Sequence, residues 1–368
     1  MRQHYHNVQA LRGIACLFVV VYHLEVWDAA FGANTLILHW FQWFGFAGVD
    51  LFFVLSGFVI ASTNRDNLGR PAALGRYLRR RFWRIYPTYW AAMLVSAAIA
   101  EAVLGKHHFD STSLTAWPWW LSLAPGGPAN SVVDQSWTLI FEVMFYLAFG
   151  ILLLVPRPLG RILLCSWGAA VAVAVTQRPA LEDPLGAHPL NPFVLEFLGG
   201  CLIAGMAERG WRGWWRPALG LGIAYAVVAV LLAATASDPG PYGIVVTKYR
   251  VAMFGPSAVL ILYGFVAAEG VFPRRVPGWL LWIGDASYSL YLSHWSVLLV
   301  AVAVGLHLPH TRGPHLLWLA GTMAATIAVG LLFHAVVEKR LLGLSGRPRA
   351  ETAAALPSGE KTAIPAAA

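Results

Sequence analysis

The stretch 8–27, VQALRGIACLFVVVYHLEVW, limits what this chain can become more than any other. A run of about 20 apolar residues is long enough to span a bilayer. This one carries Arg12 and His23 inside it. An arginine in the hydrocarbon region costs on the order of 2.5–3.5 kcal/mol even on a lenient insertion scale. Arg12 and His23 stand eleven positions apart. At roughly 100° per residue they return to nearly one helix face, about 16 Å from each other. The first helix therefore shows a cation near one end and an imidazole towards the other. Two costly groups on one face predict a water-accessible or substrate-lined cavity rather than a packing position.

The rest of the chain has the same character. Of its 368 residues 58% are hydrophobic and only 12% charged, against about 25% charged in a soluble domain. Apolar runs predict an all-α, polytopic membrane fold of about ten transmembrane helices near 8–27, 39–62, 84–104, 136–155, 161–177, 191–208, 215–235, 249–269, 279–306 and 314–338. With the N-terminus inside, nineteen Lys and Arg fall in inner segments and five in outer ones, with Arg12 and Arg84 in or at the edge of spans. That bias is the positive-inside pattern and predicts an N-in, C-in, multi-pass protein. It also accounts for the net charge of +8 without nucleic acid as a partner. Residues 1–344 read as one membrane domain and 345–368, rich in Ala and Pro, as a disordered cytoplasmic tail. No cleavable signal peptide is expected at the N-terminus. The long outer segment 105–135 contains WPWWLSL and PGGP, which predicts a short interfacial helix and a turn. Cys16, Cys165 and Cys201 read as buried small hydrophobes, with no metal-ligand spacing.

The other polar residues of the spans are the candidate site. Asp50 lies in the second span, where it either pairs with an arginine or lines the site, and glycines 45, 48 and 57 allow close helix approach there. Ser56 reads as a packing hydroxyl. Arg76, Arg79, Arg80, Arg81 and Arg84 cluster where the third span begins. Arg81 and Arg84, three apart, share a face. Such a cluster either holds topology against anionic lipid or grips phosphates. Glu142 and His23 both fall in the outer half of their spans by helical rise. If their helices adjoin, the carboxylate orients the imidazole, and Tyr146 shares the face of Glu142 at i+4. Glu196 sits in the sixth span. His294 and Asp285, nine apart, point to opposite sides of their helix, so only one of them can face a cavity. Glu338 stands at the inner end of the last span beside basic residues. Motifs for nucleotide loops, zinc peptidases and serine hydrolases are missing from the sequence.

An ordered series of segments resembles the integral-membrane acyltransferase family 3: NVQALRGIACLFVVVYH, GVDLFFVLSGF, RRFWRIYP, SWTLIFEVMFY and SYSLYLSHW. The series covers roughly residues 7 to 295. The resemblance implies about ten helices and transfer of an acyl group, often acetyl, from cytoplasmic acyl-CoA to an acceptor hydroxyl, often on a sugar. It implies that His23 is the catalytic histidine of the Arg12–His23 motif, that Arg81 and Arg84 bind the phosphates of acyl-CoA, and that Glu142 is the family's glutamate, with Thr138 in place of the usual serine. Glu338-Lys339-Arg340 departs from the family's common E-x-P. The appended SGNH hydrolase-like domain of longer members has no counterpart in this sequence.

These readings combine into one expectation. Glu142 supports His23 as general base, or His23 carries a transient acyl group. Arg12, Arg81, Arg84, Asp50, Tyr146 and His294 contact the substrates. The donor is acyl-CoA (acetyl-CoA), with no tightly bound cofactor and no metal. The acceptor is a surface or secreted polysaccharide or its lipid-linked precursor, at the plasma (inner) membrane of a bacterium among membrane lipids. Two other readings stay open: acylation of a macrolide-type metabolite, and a proton-coupled transporter or flippase using the same intramembrane charges.

Overall fold

Apolar runs broken by Gly, Pro and basic clusters become helices and little else. The computed structural model describes residues 5–30, 35–104, 111–125, 133–177, 188–235, 247–269, 276–307 and 312–345. The helices are α1 (His6–Ala30), α2 (Leu36–His39), α3 (Gly48–Asn64), α4 (Leu74–Leu104), α5 (Ser111–Ser122), α6 (Trp137–Leu154), α7 (Arg157–Gln177), α8 (Phe193–Glu208), α9 (Trp215–Ala234), α10 (Thr247–Ala268), α11 (Gly278–Gly305), α12 (Arg312–Phe333) and α13 (Lys339–Gly343). A single π turn, His334–Glu338, joins the last two. Among the described residues no strand occurs. Every expected span coincides with a helix, although the second begins as 3-10 turns over Trp40–Ala47 before α3. Eight helical segments are long and apolar enough to cross a membrane. α4 and α8 fall outside that group: α8 has only 16 residues, and α4 opens with the arginine cluster. The expected tail from 346 onward lies outside the described residues.

Close helix contacts set the centre. A Cβ on Gly57 would lie 2.0 Å from the Phe197 carbonyl oxygen, and one on Gly200 would lie 2.0 Å from that of Val54. Only hydrogen at both positions lets α3 and α8 approach so closely, as small residues do between membrane helices. α1 packs between α3 and α11, and α11 also packs on α4 and α12. α1, α3, α4, α6 and α11 thus surround the polar residues, while α7 and α9 present mostly exposed aliphatics at the periphery.

Two expectations change. α5 is not an interfacial helix. Its C-terminal carbonyls, on Trp120, Leu121 and Ser122, accept hydrogen bonds from Tyr89, Trp90 and Tyr86 of α4 at 2.8, 2.9 and 2.7 Å. Those donors lie 14 to 18 residues from the Leu104 end of α4, roughly 20–27 Å along its axis by helical rise. α5 therefore runs back along α4 towards the arginine-rich end, where the carbonyls that a helix leaves open in its last turn find these donors. The second change concerns the cysteines: Cys16 is buried, but Cys165 is exposed on the outer face of α7.

Candidate active site

A layer of charge lies across the bundle near its arginine-rich end. Arg84 of α4 donates to Glu338 Oε1 at 2.5 Å. The other oxygen of Glu338 accepts from Ser289 Oγ at 2.6 Å and meets His334 Nδ1 at 2.8 Å. The Glu338 side chain is 1% exposed, and a carboxylate so deeply buried needs such partners. Arg84 also lies over the Tyr288 ring at 5.1 Å. Arg81, one turn earlier, is less engaged. It donates to Thr63 Oγ1 at 3.3 Å and stacks over Tyr77 and Tyr146 at 5.4 and 5.0 Å. Its Nε is buried with no hydrogen-bond partner among the described residues, which leaves a directed donor for an anion. The Tyr146 hydroxyl donates to Glu142, and Ser56 Oγ approaches the same oxygen at 3.5 Å. Arg12 lies close enough for the charges of Arg84, Glu338 and Glu142 to act on it.

Farther along α1 the character changes from charge to imidazole. His23 Nδ1 lies 2.9 Å from the Val19 carbonyl oxygen and 3.3 Å from His294 Nε2. His294 Nδ1 lies 2.6 Å from the Tyr291 carbonyl oxygen. A carbonyl only accepts, so both Nδ1 atoms carry the hydrogen in the neutral rings. His23 Nδ1–H is then shared between Val19 O and His294 Nε2. His23 Nε2 keeps its lone pair, the form a general base needs. His294 is fully buried and His23 only partly, so the inner ring orients and the outer ring is accessible. The start of α6 and the turn before it brace the pair: Gln135 Nε2 donates to the carbonyls of Tyr291 and Leu292 at 2.9 and 3.1 Å, and Thr138 Oγ1 is 2.9 Å from the Tyr291 hydroxyl.

The acyltransferase domain family matches residues 5–334. This chain belongs to that acyltransferase family. Among its relatives, the exopolysaccharide production protein ExoZ of Rhizobium meliloti is 32% identical over 84% of this chain and 93% of its own length. The acyltransferase MdmB of Streptomyces mycarofaciens is 28% identical over 93% of both chains. The peptidoglycan O-acetyltransferase OatA of Listeria monocytogenes is 23% identical over 82% of this chain but only 51% of its own. No solved structure matches.

This acyltransferase arranges several predicted residues differently from the sequence expectation. Glu142 makes no hydrogen bond to His23; its described partners are Tyr146 and Ser56, because α6 packs on α3 and α4 whereas His23 faces α11. His294 stands beside His23 where Glu142 was expected, while Asp285 on the opposite side of α11 accepts from Gln9 at 2.5 Å. Asp50, expected among the substrate-binding residues, is 0% exposed. Arg250 Nε reaches its oxygens at 3.2 and 2.9 Å and Nη2 at 2.6 Å. Of its two possible roles, the structure shows the paired one. Glu196 lies beside that pair with its carboxyl buried. Arg81 and Arg84 are not an equivalent pair either, since Glu338 already balances Arg84. Ser289, His334, Tyr288 and Gln135 escaped sequence reasoning. For Ser289 and Tyr288 the signal was available in their place within SYSLYLSHW.

Proposed function

We propose that the protein is a bacterial plasma-membrane O-acyltransferase that moves an acyl group, acetyl in the simplest case, from acyl-CoA to a hydroxyl of a polysaccharide or of its lipid-linked precursor. The observation that carries this reading is the fixed ring of His23, whose Nδ1 hydrogen is engaged and whose Nε2 is left for chemistry. Charge bias puts the arginine-rich end in the cytoplasm, the compartment that supplies the donor. Arg81, with its unpartnered Nε, takes a donor phosphate, and Arg84 adds charge from a fixed position. The donor's extended arm carries the thioester past Arg12 towards His23, about 16 Å along α1.

The reaction is then a direct transfer. The acceptor hydroxyl gives its proton to His23 Nε2 as its oxygen attacks the thioester carbonyl. The carbon–sulfur bond breaks, and the leaving thiolate takes the proton from the imidazolium. His294 steadies the cationic ring while it exists. The names of the relatives support the polysaccharide reading: ExoZ by exopolysaccharide production and OatA by peptidoglycan O-acetylation.

The test uses washed membranes containing the protein or its His23→Ala form, acetyl-CoA labelled in the acetyl group, and an extract of lipid-linked and secreted glycans. Base-labile label on a glycan, absent with His23→Ala, is the expected result. Label on a small lipophilic metabolite would replace the acceptor class. Folded protein that labels nothing from any short acyl-CoA would refute transfer and leave a proton-coupled transporter as the account.

A further inference from the structure

The turn before α6 carries a polar atom that its bracing contacts do not use. Gln135 is 4% exposed. Its Nε2 donates to the carbonyls of Tyr291 and Leu292 at 2.9 and 3.1 Å, and the same Tyr291 oxygen lies 2.6 Å from His294 Nδ1. The amide and the inner imidazole therefore meet on one atom. Turned over, the amide would set its oxygen against two carbonyl oxygens, so the nitrogen is held towards α11 and the oxygen away from those carbonyls. That Oε1 is buried and has no hydrogen-bond partner among the described residues. A buried acceptor left open is costly, and native structures keep few of them.

Its surroundings limit what it can bind. α6 runs from Trp137 to Leu154, and near its end the Leu152 carbonyl accepts from the Gly69 amide in the basic segment ahead of α4. Gln135, at the other end of α6, is therefore remote from Arg81 and Arg84, on the acceptor's side of the bundle. A helical side chain covers the turn N-terminal to its own Cα, so Trp295 lies over the Tyr291–Leu292 turn where the amide sits. The indole is half-buried. It meets His23 edge to face with 5.4 Å between ring centres, and Trp27 stands 6.4 Å from it. A base, an aromatic surface and an open acceptor oxygen are thus gathered at one turn of α11. A pyranose matches that set, with hydroxyls for the base and the amide and an apolar C–H face for the indole. A few fixed polar groups among aromatic rings are what set a ligand's orientation in a site.

We propose that Gln135 selects the acceptor, on the transfer reading above: its Oε1 accepts a hydrogen bond from the hydroxyl next to the one that His23 deprotonates, on a pyranose packed against Trp295. The acceptor is then one member of a vicinal diol. No bond is made or broken at Gln135; the hydrogen bond fixes which hydroxyl faces His23 Nε2.

The test pairs changes in the residue with changes in the sugar. The full chain in lipid nanodiscs receives acetyl-CoA and nitrophenyl β-D-glucopyranoside or β-D-galactopyranoside, each also in its monodeoxy forms, and mass spectrometry measures and places the acetyl ester. In the wild type, removing the hydroxyl beside the acetylated one should lower kcat/KM about tenfold, the scale of one hydrogen bond. In Gln135→Met, of similar length but without an acceptor oxygen, the two sugars should react alike. Loss of the brace on α11 slows both sugars equally, so their ratio reports the subsite alone. Gln135→Lys keeps a donor for the two carbonyls and has no acceptor. It should equalise the sugars too, and it serves if the methionine variant fails to fold. Discrimination that persists in these variants, or is absent from the wild type, overturns the proposal and leaves Gln135 a brace with water on its oxygen. Native glycans labelled while neither glycoside is acetylated would overturn it as well. Native glycans left unlabelled would instead refute the transfer itself.

Discussion

Removing Arg250 should damage the protein far more than removing Asp50. The guanidinium side chain is 3% exposed and that of Asp50 is 0% exposed. Besides Asp50, Arg250 donates to the Phe46 carbonyl at 2.9 Å and lies over the rings of Phe46 and Phe193 at 4.9 and 5.2 Å. Arg250→Met therefore leaves two neighbouring carboxyls, Asp50 and Glu196, without their cation. Breaking a buried pair in this way costs about 3–5 kcal/mol. Asp50→Leu instead leaves the cation with Glu196 beside it, ready to take over the contact, so the loss should be nearer the cost of one altered buried hydrogen bond, about 1–3 kcal/mol. In the Asp50→Leu background, Glu196→Gln should then become as harmful as loss of the arginine, a coupling within the about 0.5–3 kcal/mol range of contacting residues. Reversible unfolding in mixed SDS–detergent micelles, followed by tryptophan fluorescence, measures all four forms. Equal losses for Arg250→Met and Asp50→Leu would refute the compensation argument. An Asp50→Leu protein of native stability with no transfer activity would place Asp50 in the substrate site after all.

Three further outcomes follow from the site and the packing. His23→Ala should lower kcat by about 10²–10⁴, the usual weight of a general base, whereas His294→Ala should lower kcat by about 10–100-fold, the scale of lost orienting contacts, with KM for acyl-CoA unchanged; a shift in KM alone would argue against orientation. Glu338→Gln should reduce kcat/KM for acyl-CoA about tenfold, or about 1.4 kcal/mol, through KM, because Arg84 loses its fixed position; an effect confined to kcat would contradict this. Gly200→Ala drives a Cβ to 2.0 Å from the Val54 carbonyl oxygen and should cost at least about 1–3 kcal/mol, while Gly220→Ala should be neutral or slightly stabilising, both read from the same unfolding assay.

The helices were legible because bilayer solvation imposes one pattern, a long apolar run that satisfies its own backbone. Facing was legible too: the 100° arithmetic put Asp285 and His294 on opposite sides of α11, and Tyr146 beside Glu142. Adjacency between helices was not. Depth alone suggested a Glu142–His23 contact, but depth is shared by every helix in the bundle, and the true neighbour of His23 is 271 residues away. The Arg84–Glu338 pair spans 254 residues and the Asp50–Arg250 pair 200, and nothing local marks either. WPWWLSL reads alike whether its tryptophans lie at a membrane surface or against α4; only the carbonyls that Tyr86, Tyr89 and Trp90 satisfy distinguish the two.

The π turn at His334–Glu338 fixes the phase of everything after it. A π turn closes on i→i+5 bonds and accommodates one residue more than an α turn. The turn absorbs that residue, whereas an α-helix threaded through the same residues would rotate the chain beyond them by roughly 100°. Straightening His334–Glu338 into plain α-helix with every residue kept would swing the Glu338 carboxylate off Arg84, and turn Lys339 and Arg340 with it. Composition and length would be unaltered, yet the counter-ion of Arg84 would point elsewhere. The helix end therefore behaves as a keyed coupling, in which a single residue of slack decides whether the charges engage.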